Sequence, residues 1–339
     1  MTTSPELPDV IFFGSGEFGV PVLRALAAKG RVAMVVSQPD REAGRGKVPT
    51  PTPVSACAAE LGLELRRPAD CNEPAALAEL RAAAARAGER ARAQGRAQPA
   101  PCFVVIAYGQ KLSNALLEGI FAVNLHGSVL PRWRGAAPIQ RALMEGDAQA
   151  GVTVISLAQR MDAGLVYAVR TLPVGPRQTA GELHDALSAL GPEAVESVLA
   201  AWMAGTLRGA AQDESQATRA RKLGRADAWV DLSMDGARVR ARINGLNPWP
   251  GCAAQVEGRP LLLRRCEEVA GAGAGGAMGA PEAGTLDPDG TLWCGRGAVR
   301  LLEVQAPGGR AMEFTAWARG IRLQSRATLR SAPVQEAPR

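Results

Sequence analysis

The chain has 339 residues, 47% apolar and 21% charged, which suits a globular protein with more than one core and argues against disorder. Its 39 Lys and Arg against 33 Asp and Glu leave a net charge of +6, a mild bias toward an anionic partner that counts only where the charge is localised. Six scattered cysteines with no CxxC pair exclude a zinc-finger or disulfide framework, and no metal site is expected. The acidic start MTTSPELPD and the lack of any membrane-length apolar run point to an untargeted, cytoplasmic chain without membrane contact.

Val10 to Phe13 is a continuous apolar run, and VPVLRALAAKG then repeats apolar positions at helical spacing until Gly30 stops it. Between them Gly14, Gly16 and Gly19 spell GxGxxG, the pattern of a dinucleotide-binding turn. That reading requires an acidic residue at the end of the second strand to hold the ribose. RVAMVV ends at Val36 and Ser37, and the nearest acid, Asp40, lies beyond Pro39. The competing reading, glycines that permit a tight turn and close helix packing, is preferred, and a nicotinamide-dependent oxidoreductase is kept only as a rival.

SQPDREAGRGKVPTPTP reads as a long Gly/Pro loop, VSACAAELG as a short helix, and PCFVVIAYG as a buried strand. The intervening Ala/Arg stretch, Arg81 to Pro101, shows no apolar periodicity and is expected to be an exposed helix extension or disordered. FAVNLHGSVLP adds a fourth strand, GVTVISLA another strand-like run, and Leu183 to Met203 a long helix. Strands alternating with helices predict an α/β fold with a doubly wound, mainly parallel, Rossmann-like sheet and a site at the carboxyl ends of its strands. Ala204 to Ala217 is small and polar, like a linker. Beyond it, short β-like runs separated by Gly, Pro and Asp predict a smaller β-barrel of OB-like type, with GAGAGGAMGAPEAG as a flexible loop within it. The predicted organisation is 1–204 catalytic domain, 205–225 linker, 226–330 C-terminal barrel and 331–339 tail. From Thr206 onward 19 Lys and Arg face 14 Asp and Glu, so most of the net positive charge sits in the linker and the smaller domain.

The segment Val123 to Gln140, VNLHGSVLPRWRGAAPIQ, carries the chemistry. Alternate strand residues share a face, so Asn124 and His126 point the same way at a strand's carboxyl end. The chain has two histidines; His184, in ELHDALSAL, reads as structural, whereas His126 beside Asn124 suits catalysis. Acyl transfer to an amine needs donors for the oxygen that gains charge, which an Asn124 amide and a His126 N–H can supply. It also needs a carboxylate to take the ammonium proton, directly or through water, and Asp162 in the turn QRMDAGLV is the candidate. Tyr108 and Gly109 end a strand at the same edge and are candidates to line a pocket there, with a core role for Tyr108 as the alternative. Arg132 and Arg134 flank Trp133 and either hold a substrate anion or pair with a nearby acid.

With these residues in view, NLHGSVLPRWRGAAPIQ and the downstream MDAG resemble the folate-dependent formyltransferases, and among them the family that acts on methionyl-tRNA. The resemblance implies a formyl transfer from 10-formyltetrahydrofolate, a reduced folate serving as co-substrate, to the amino group of methionine on initiator Met-tRNA; a monomer is expected, since no heptad pattern suggests a coiled-coil dimer. It implies a catalytic set of Asn124, His126 and Asp162, and folate contact by Ser128, Val129, Leu130 and Pro131. By the same resemblance QPDREAGRGK matches a loop that enters the tRNA acceptor end, with Arg41, Arg45 and Lys47 as its cations. NPWPG (Asn247–Gly251) and EVQAPGGRAM (Glu303–Met312) are similar to C-terminal motifs of the family. The chain departs from the family pattern in GSGEF for GTPEF, in MDAG for LDTG, in ISLAQR, which lacks a usual glutamine and acid, and in the Ala/Arg insertion. A non-catalytic RNA-binding protein on the same fold is the second rival.

Overall fold

A computed structural model describes residues 7–43, 48–96, 101–271 and 281–333. It opens with β1 (Val10–Gly14), α1 (Val20–Ala28), β2 (Val32–Val36), β3 (Arg41–Ala43), β4 (Val48–Thr50), α2 (Pro53–Glu60), β5 (Leu65–Arg66), α3 (Pro74–Ala93), β6 (Cys102–Ile106), α4 (Asn114–Leu117) and β7 (Phe121–His126). β8 (Arg134–Gly135), α5 (Pro138–Met144), β9 (Gln149–Ser156), β10 (Val166–Pro173) and α6 (Ala180–Met203) follow. The remainder is β11 (Arg219–Ala220), α7 (Gly236–Gly245), β12 (Cys252–Val256), β13 (Arg259–Glu268), β14 (Thr285–Leu286), β15 (Thr291–Trp293), β16 (Ala298–Gln305), β17 (Ala311–Glu313), α8 (Phe314–Gly320) and β18 (Ala327–Arg330). Two compact units result: one comprises residues up to Arg134 with Gly151–Thr171 and Asp185–Thr218, the other Gly135–Ala150, Leu172–His184 and everything from Arg219.

The first unit is built on a seven-stranded sheet of order β10-β9-β7-β6-β1-β2-β5. β1 pairs in parallel with β2 and β6, β2 with β5, and β6 with β7. Every residue of β1 and β6 is buried, because helices cover both faces of a parallel sheet, which is why VIFFG and CFVVI are unbroken apolar runs. The expected mainly parallel, doubly wound sheet is present. β9, however, runs antiparallel to β7. An apolar run reads the same in either direction, so the sequence pattern carries no sign of that reversal.

The glycines of GxGxxG act through packing. A Cβ on Gly14 would lie 2.7 Å from Phe12 Cε1 and 3.0 Å from the Ile106 carbonyl oxygen, and one on Gly19 would press on Phe12 and Ile106. On Gly16 the nearest atom would be 3.5 Å away, ordinary contact. Two of the three glycines therefore let the turn close onto β1 and β6.

The Ala/Arg stretch is not exposed throughout, contrary to expectation. α3 runs to Ala93 and buries Leu80, Ala83, Ala84, Ala87, Gly88 and Ala91, a helical stripe of small residues. Arg86, Glu89, Arg90 and Arg92 take the solvent side. Alanine is nearly neutral in hydrophobicity, so the period does not stand out among arginines. The 97–100 part of the insertion lies outside the described residues. α6 continues through Pro192, and Gly191 permits its approach, since a Cβ there would meet Val22 and Leu125 within 3 Å.

In the second unit β13, β12, β18, β14, β15 and β16 form a ring that the β13–β16 pairing closes, with β17 added outside β16. Closure leaves no free edges among the six strands and encloses a core of Val256, Leu263, Leu292, Val304, Leu329 and their neighbours. The OB-like barrel expectation is met. α7 was not foreseen; Asp235 caps it by accepting from the Arg238 N–H. From α7 the buried Asn244 bonds both N–H and C=O of Cys266 at a register shift in β13, acting as a piece of strand. The start of α6 carries a capping box in which Glu182 accepts from the Thr179 N–H and Thr179 Oγ1 from the Glu182 N–H. Of the expected loop GAGAGGAMGAPEAG, 271–284, the part 272–280 lies outside the described residues.

Candidate active site at the carboxyl ends of the strands

The strand ends are tied together before any functional side chain is placed. Ser15 Oγ donates to the Tyr108 carbonyl at 3.0 Å and accepts from the Gln38 N–H at 3.2 Å, linking the segments that follow β1, β2 and β6. Ser37 and Thr52 hydroxyls meet at 2.6 Å, and Thr52 caps α2. The Tyr108 ring faces inward: it is buried and packs edge-on to Phe13 at 5.5 Å, and burial pushes its hydroxyl pKa well above the ordinary value. What Tyr108 presents at the edge is backbone. Gly109 has φ +90°, a conformation that favours glycine, whereas a Cβ there would meet nothing closer than 4.0 Å.

Asn124 and His126 sit on β7 opposite Ile155 and Thr153 of β9. The Asn124 amide is partly exposed and makes no side-chain hydrogen bond among the described residues. His126 is buried, with Nε2 2.9 Å from the Trp133 carbonyl oxygen. A carbonyl only accepts, so Nε2 carries the proton in this contact. Nδ1 faces the Asp162 carboxylate, Oδ1 at 3.7 Å, with both side chains largely shielded from solvent. That separation is longer than a hydrogen bond, and it becomes an ion pair only when the ring carries both protons. Both ring nitrogens thus face protein atoms, and Asn124 has the freer donor group.

The loop after His126 is held by two threonines that sequence reasoning missed. Thr153 Oγ1 donates to the Ser128 carbonyl at 2.6 Å and accepts from the Leu130 N–H; Thr218 Oγ1 accepts from the Trp133 N–H at 2.9 Å. Ser128 Oγ donates to the Arg132 carbonyl. Ser128 and Leu130 are consequently buried, while Val129 and Pro131 remain partly exposed on the loop. Trp133 has φ +63°, and the Arg132 guanidinium lies 5.1 Å from its ring centroid.

Asp162 occupies a turn with φ +56°, a left-handed conformation that Asp tolerates better than most residues. Gly164, two positions on, abuts the end of β9 so closely that a Cβ would fall 1.8 Å from the Ser156 carbonyl oxygen. Arg134 does not present a free cation: it is buried, donating to Gln212 Oε1 (3.0 and 2.7 Å) and to both oxygens of Glu214 (3.1 and 2.9 Å). Hydrogen bonds from Arg134 and Arg160 draw the Glu214 carboxyl down to about 2. Of the two roles expected for Arg134, pairing with an acid is what the structure shows. Ala204–Ala217, expected to be a slack linker, is tied down through Gln212, Glu214 and a Val166–Ala210 bridge.

The expected loop 37–53 contains two short strands, β3 pairing antiparallel with β4 from Arg41↔Thr50 to Ala43↔Val48. Arg41 is exposed on it; Arg45 and Lys47 lie outside the described residues. Cross-strand pairing holds Pro49 opposite Glu42 in a ladder that turn propensity alone would not suggest. A cleft of about 440 Å³ is lined by Lys111, Phe121, Ser156, Gln159 and Tyr167; Asn124, His126 and Asp162 do not line it. Among the described residues no three His, Cys, Asp or Glu side chains gather as a metal site, and no helix is long and apolar enough to cross a membrane.

Residues 9–199 match the family described as formyl transferase, and residues 222–322 match formyl transferase, C-terminal domain. A methionyl-tRNA formyltransferase of Ectopseudomonas mendocina is 37% identical, covering 92% of this chain and 94% of its own length. One from Cereibacter sphaeroides is 38% identical over 93% of this chain and 96% of its own. Among solved structures, HypX from Aquifex aeolicus in complex with tetrahydrofolic acid superposes with a TM-score of 0.57 at 16% identity, over 94% of this chain. This chain spans about half, 48%, of that structure's length, and the likeness is one of fold.

Proposed function

The chain belongs to the formyl transferase family, and from that premise we propose that it moves the formyl group of 10-formyltetrahydrofolate to the α-amino nitrogen of methionine on initiator Met-tRNA. The observation that carries this reading is the convergence on one strand end of the Asn124 amide, partly exposed and without a side-chain hydrogen bond among the described residues, and the His126–Asp162 pair. A formyl donor fits this set: its carbonyl oxygen is an acceptor, and the Asn124 amide is a donor.

The folate supplies an activated formyl group on N10. Asp162 accepts the ammonium proton, directly or through water, so that the methionine nitrogen carries the lone pair that forms the new C–N bond. Asn124 donates to the formyl oxygen as it becomes an oxyanion. His126, oriented by its Nε2–H to the Trp133 carbonyl, presents Nδ1 toward Asp162, where in its protonated form it stabilises the carboxylate. The bond from carbon to N10 then breaks, N10 takes the second proton shed by the methionine nitrogen, and tetrahydrofolate and formylated Met-tRNA leave.

Folate lies against Gly109 and the loop Ser128–Pro131, where Val129, Pro131 and backbone groups form the surface and Ser128 and Leu130 brace it from within. The Tyr108 contribution is its backbone. Arg41 on the β3–β4 pair, with Arg45 and Lys47, meets the tRNA acceptor end. The enzyme works as a cytoplasmic monomer, with catalytic residues in 1–204, a connection at 205–225 and a tRNA-binding barrel at 226–330. The test is a turnover assay with purified protein, 10-formyltetrahydrofolate and charged initiator tRNA. Formyl-methionyl-tRNA appearing stoichiometrically with tetrahydrofolate is the expected result; binding of the tRNA without turnover would favour the non-catalytic rival.

A further inference from the structure

We infer that Gln212 is a positioning residue for the reaction, holding the Asp162 turn in its working conformation from the segment that follows α6. The inference rests on the reading of Asp162 as the acid–base group.

One Gln212 amide nitrogen donates to two carbonyls, Asp162 O and Gly164 O, each at 2.8 Å. These carbonyls flank the turn whose first residue has a left-handed φ of +56° and whose Gly164 is pressed against Ser156. The turn is therefore gripped on two sides: by strand β9 through Ser156, and by Gln212 through both of the amide hydrogens. The other end of the same side chain is fixed as well. Gln212 Oε1 accepts from Nε and Nη2 of the buried Arg134, and Arg134 is held by Glu214, which also receives Arg160 from just before the turn.

An amide is required by this arrangement, since the carbonyls need donors and the guanidinium needs an acceptor. The direction of the carboxylate toward His126 Nδ1 depends on the turn conformation, because rotating the Asp162 backbone swings its Cβ away from the ring. Gln212 itself has no bond to Asn124 or His126 and acts through Asp162.

The decisive variants are Gln212→Glu, which keeps length and the acceptor for Arg134 but removes both donors, and Gln212→Ala. Each should lower kcat on the order of 10²-fold, the cost of misplacing a reacting group by about 1 Å, with KM for folate and for tRNA little changed. In the Asp162→Asn background Gln212→Ala should cost almost nothing more, because the two residues act on one step. The chain has two histidines, so ring-proton NMR separates His126 from His184; the His126 titration should shift in Gln212→Glu while that of His184 stays. A Gln212→Glu enzyme with wild-type kcat and an unmoved His126 titration would overturn the inference. Asp162→Asn retaining full activity would instead refute the acid–base reading, so the two failures are distinguishable. If Gln212→Ala does not fold, the folded Gln212→Glu enzyme decides alone.

Discussion

Adding a single methyl group at Gly164 tests whether the position of the Asp162 turn matters to turnover. The new Cβ would lie 1.8 Å from the Ser156 carbonyl oxygen and 2.7 Å from Ser156 Oγ, against a tightest real contact near 3.0 Å. The turn must retreat by about 1.2 Å, because the neighbour is backbone of a paired strand and a packed sheet does not yield. Retreat breaks two hydrogen bonds, Ser156 N–H to the Leu165 carbonyl (2.9 Å) and Leu165 N–H to Ser156 Oγ (2.8 Å). At roughly 0.5–1.5 kcal/mol each, that is about 1–3 kcal/mol of stability. The melting temperature should fall by about 2–10 °C. Displacement by about 1 Å at the reacting carboxylate should lower kcat on the order of 10²-fold. Steady-state kinetics with both substrates, run well below the melting temperature, separates the two effects. A Gly164→Ala enzyme that melts earlier yet turns over within about threefold of wild type would refute the reasoning, because the turn would then have moved without consequence for the chemistry.

Asp162→Asn keeps the size of the side chain but not its basicity, so kcat should fall by about 10²–10⁴-fold with little change in melting temperature; near wild-type formylation would sink the acid–base role. Asn124→Ala removes the donor proposed for the oxyanion and should raise the barrier by roughly 3–4 kcal/mol, read from kcat/KM; a loss confined to KM for folate would assign Asn124 to ground-state binding instead. Replacing Arg41, Arg45 and Lys47 together with Gln should raise KM for the tRNA, shallow its salt dependence and spare folate binding; equal losses for both substrates would reject the loop as the tRNA contact. Glu214 is drawn down to about 2 from an ordinary 4.5, so its ion pairs stabilise the fold above that ordinary value and are lost as pH falls from about 4.5 to about 2. Urea unfolding should show Glu214→Gln less stable than wild type at neutral pH, with the gap closing over that acid window; a gap constant with pH would remove Glu214 from the linkage.

What was legible in the sequence was whatever a single strand or turn encodes within a few residues. VIFFG and CFVVI declare buried parallel strands because both of their faces are covered, and NLHG places two functional side chains on one face because a strand repeats every second residue. The barrel was legible as a texture of short runs between turns, while its order was not, since closure is made by β13 pairing with β16 across some forty residues. The buried face of α3 escaped notice because alanines at 83, 84, 87 and 91 make up most of it, with little beyond Leu80 to mark it. The start of α6 was readable in hindsight from Thr179 and Glu182, three apart, as a capping box.

The parts of the site that stayed hidden share one physical cause. Thr153, Thr218 and Gln212 act on residues some 25 to 85 positions away through hydrogen bonds to backbone groups, and a carbonyl has no side-chain identity from which a partner could be recognised. The same logic explains why GxGxxG invites a wrong reading. A dinucleotide turn and this turn both need glycine where a strand passes into a helix, but here Gly14 and Gly19 yield to Phe12 and Ile106, side chains and backbone of the sheet itself, rather than to a ligand. A motif of small residues records that something approaches closely; only the surrounding fold says whether the approaching group is a phosphate or the protein's own core. Polar motifs such as NLHG are less ambiguous, because an amide and an imidazole set side by side on one strand face at the carboxyl edge of a parallel sheet answer to no packing need.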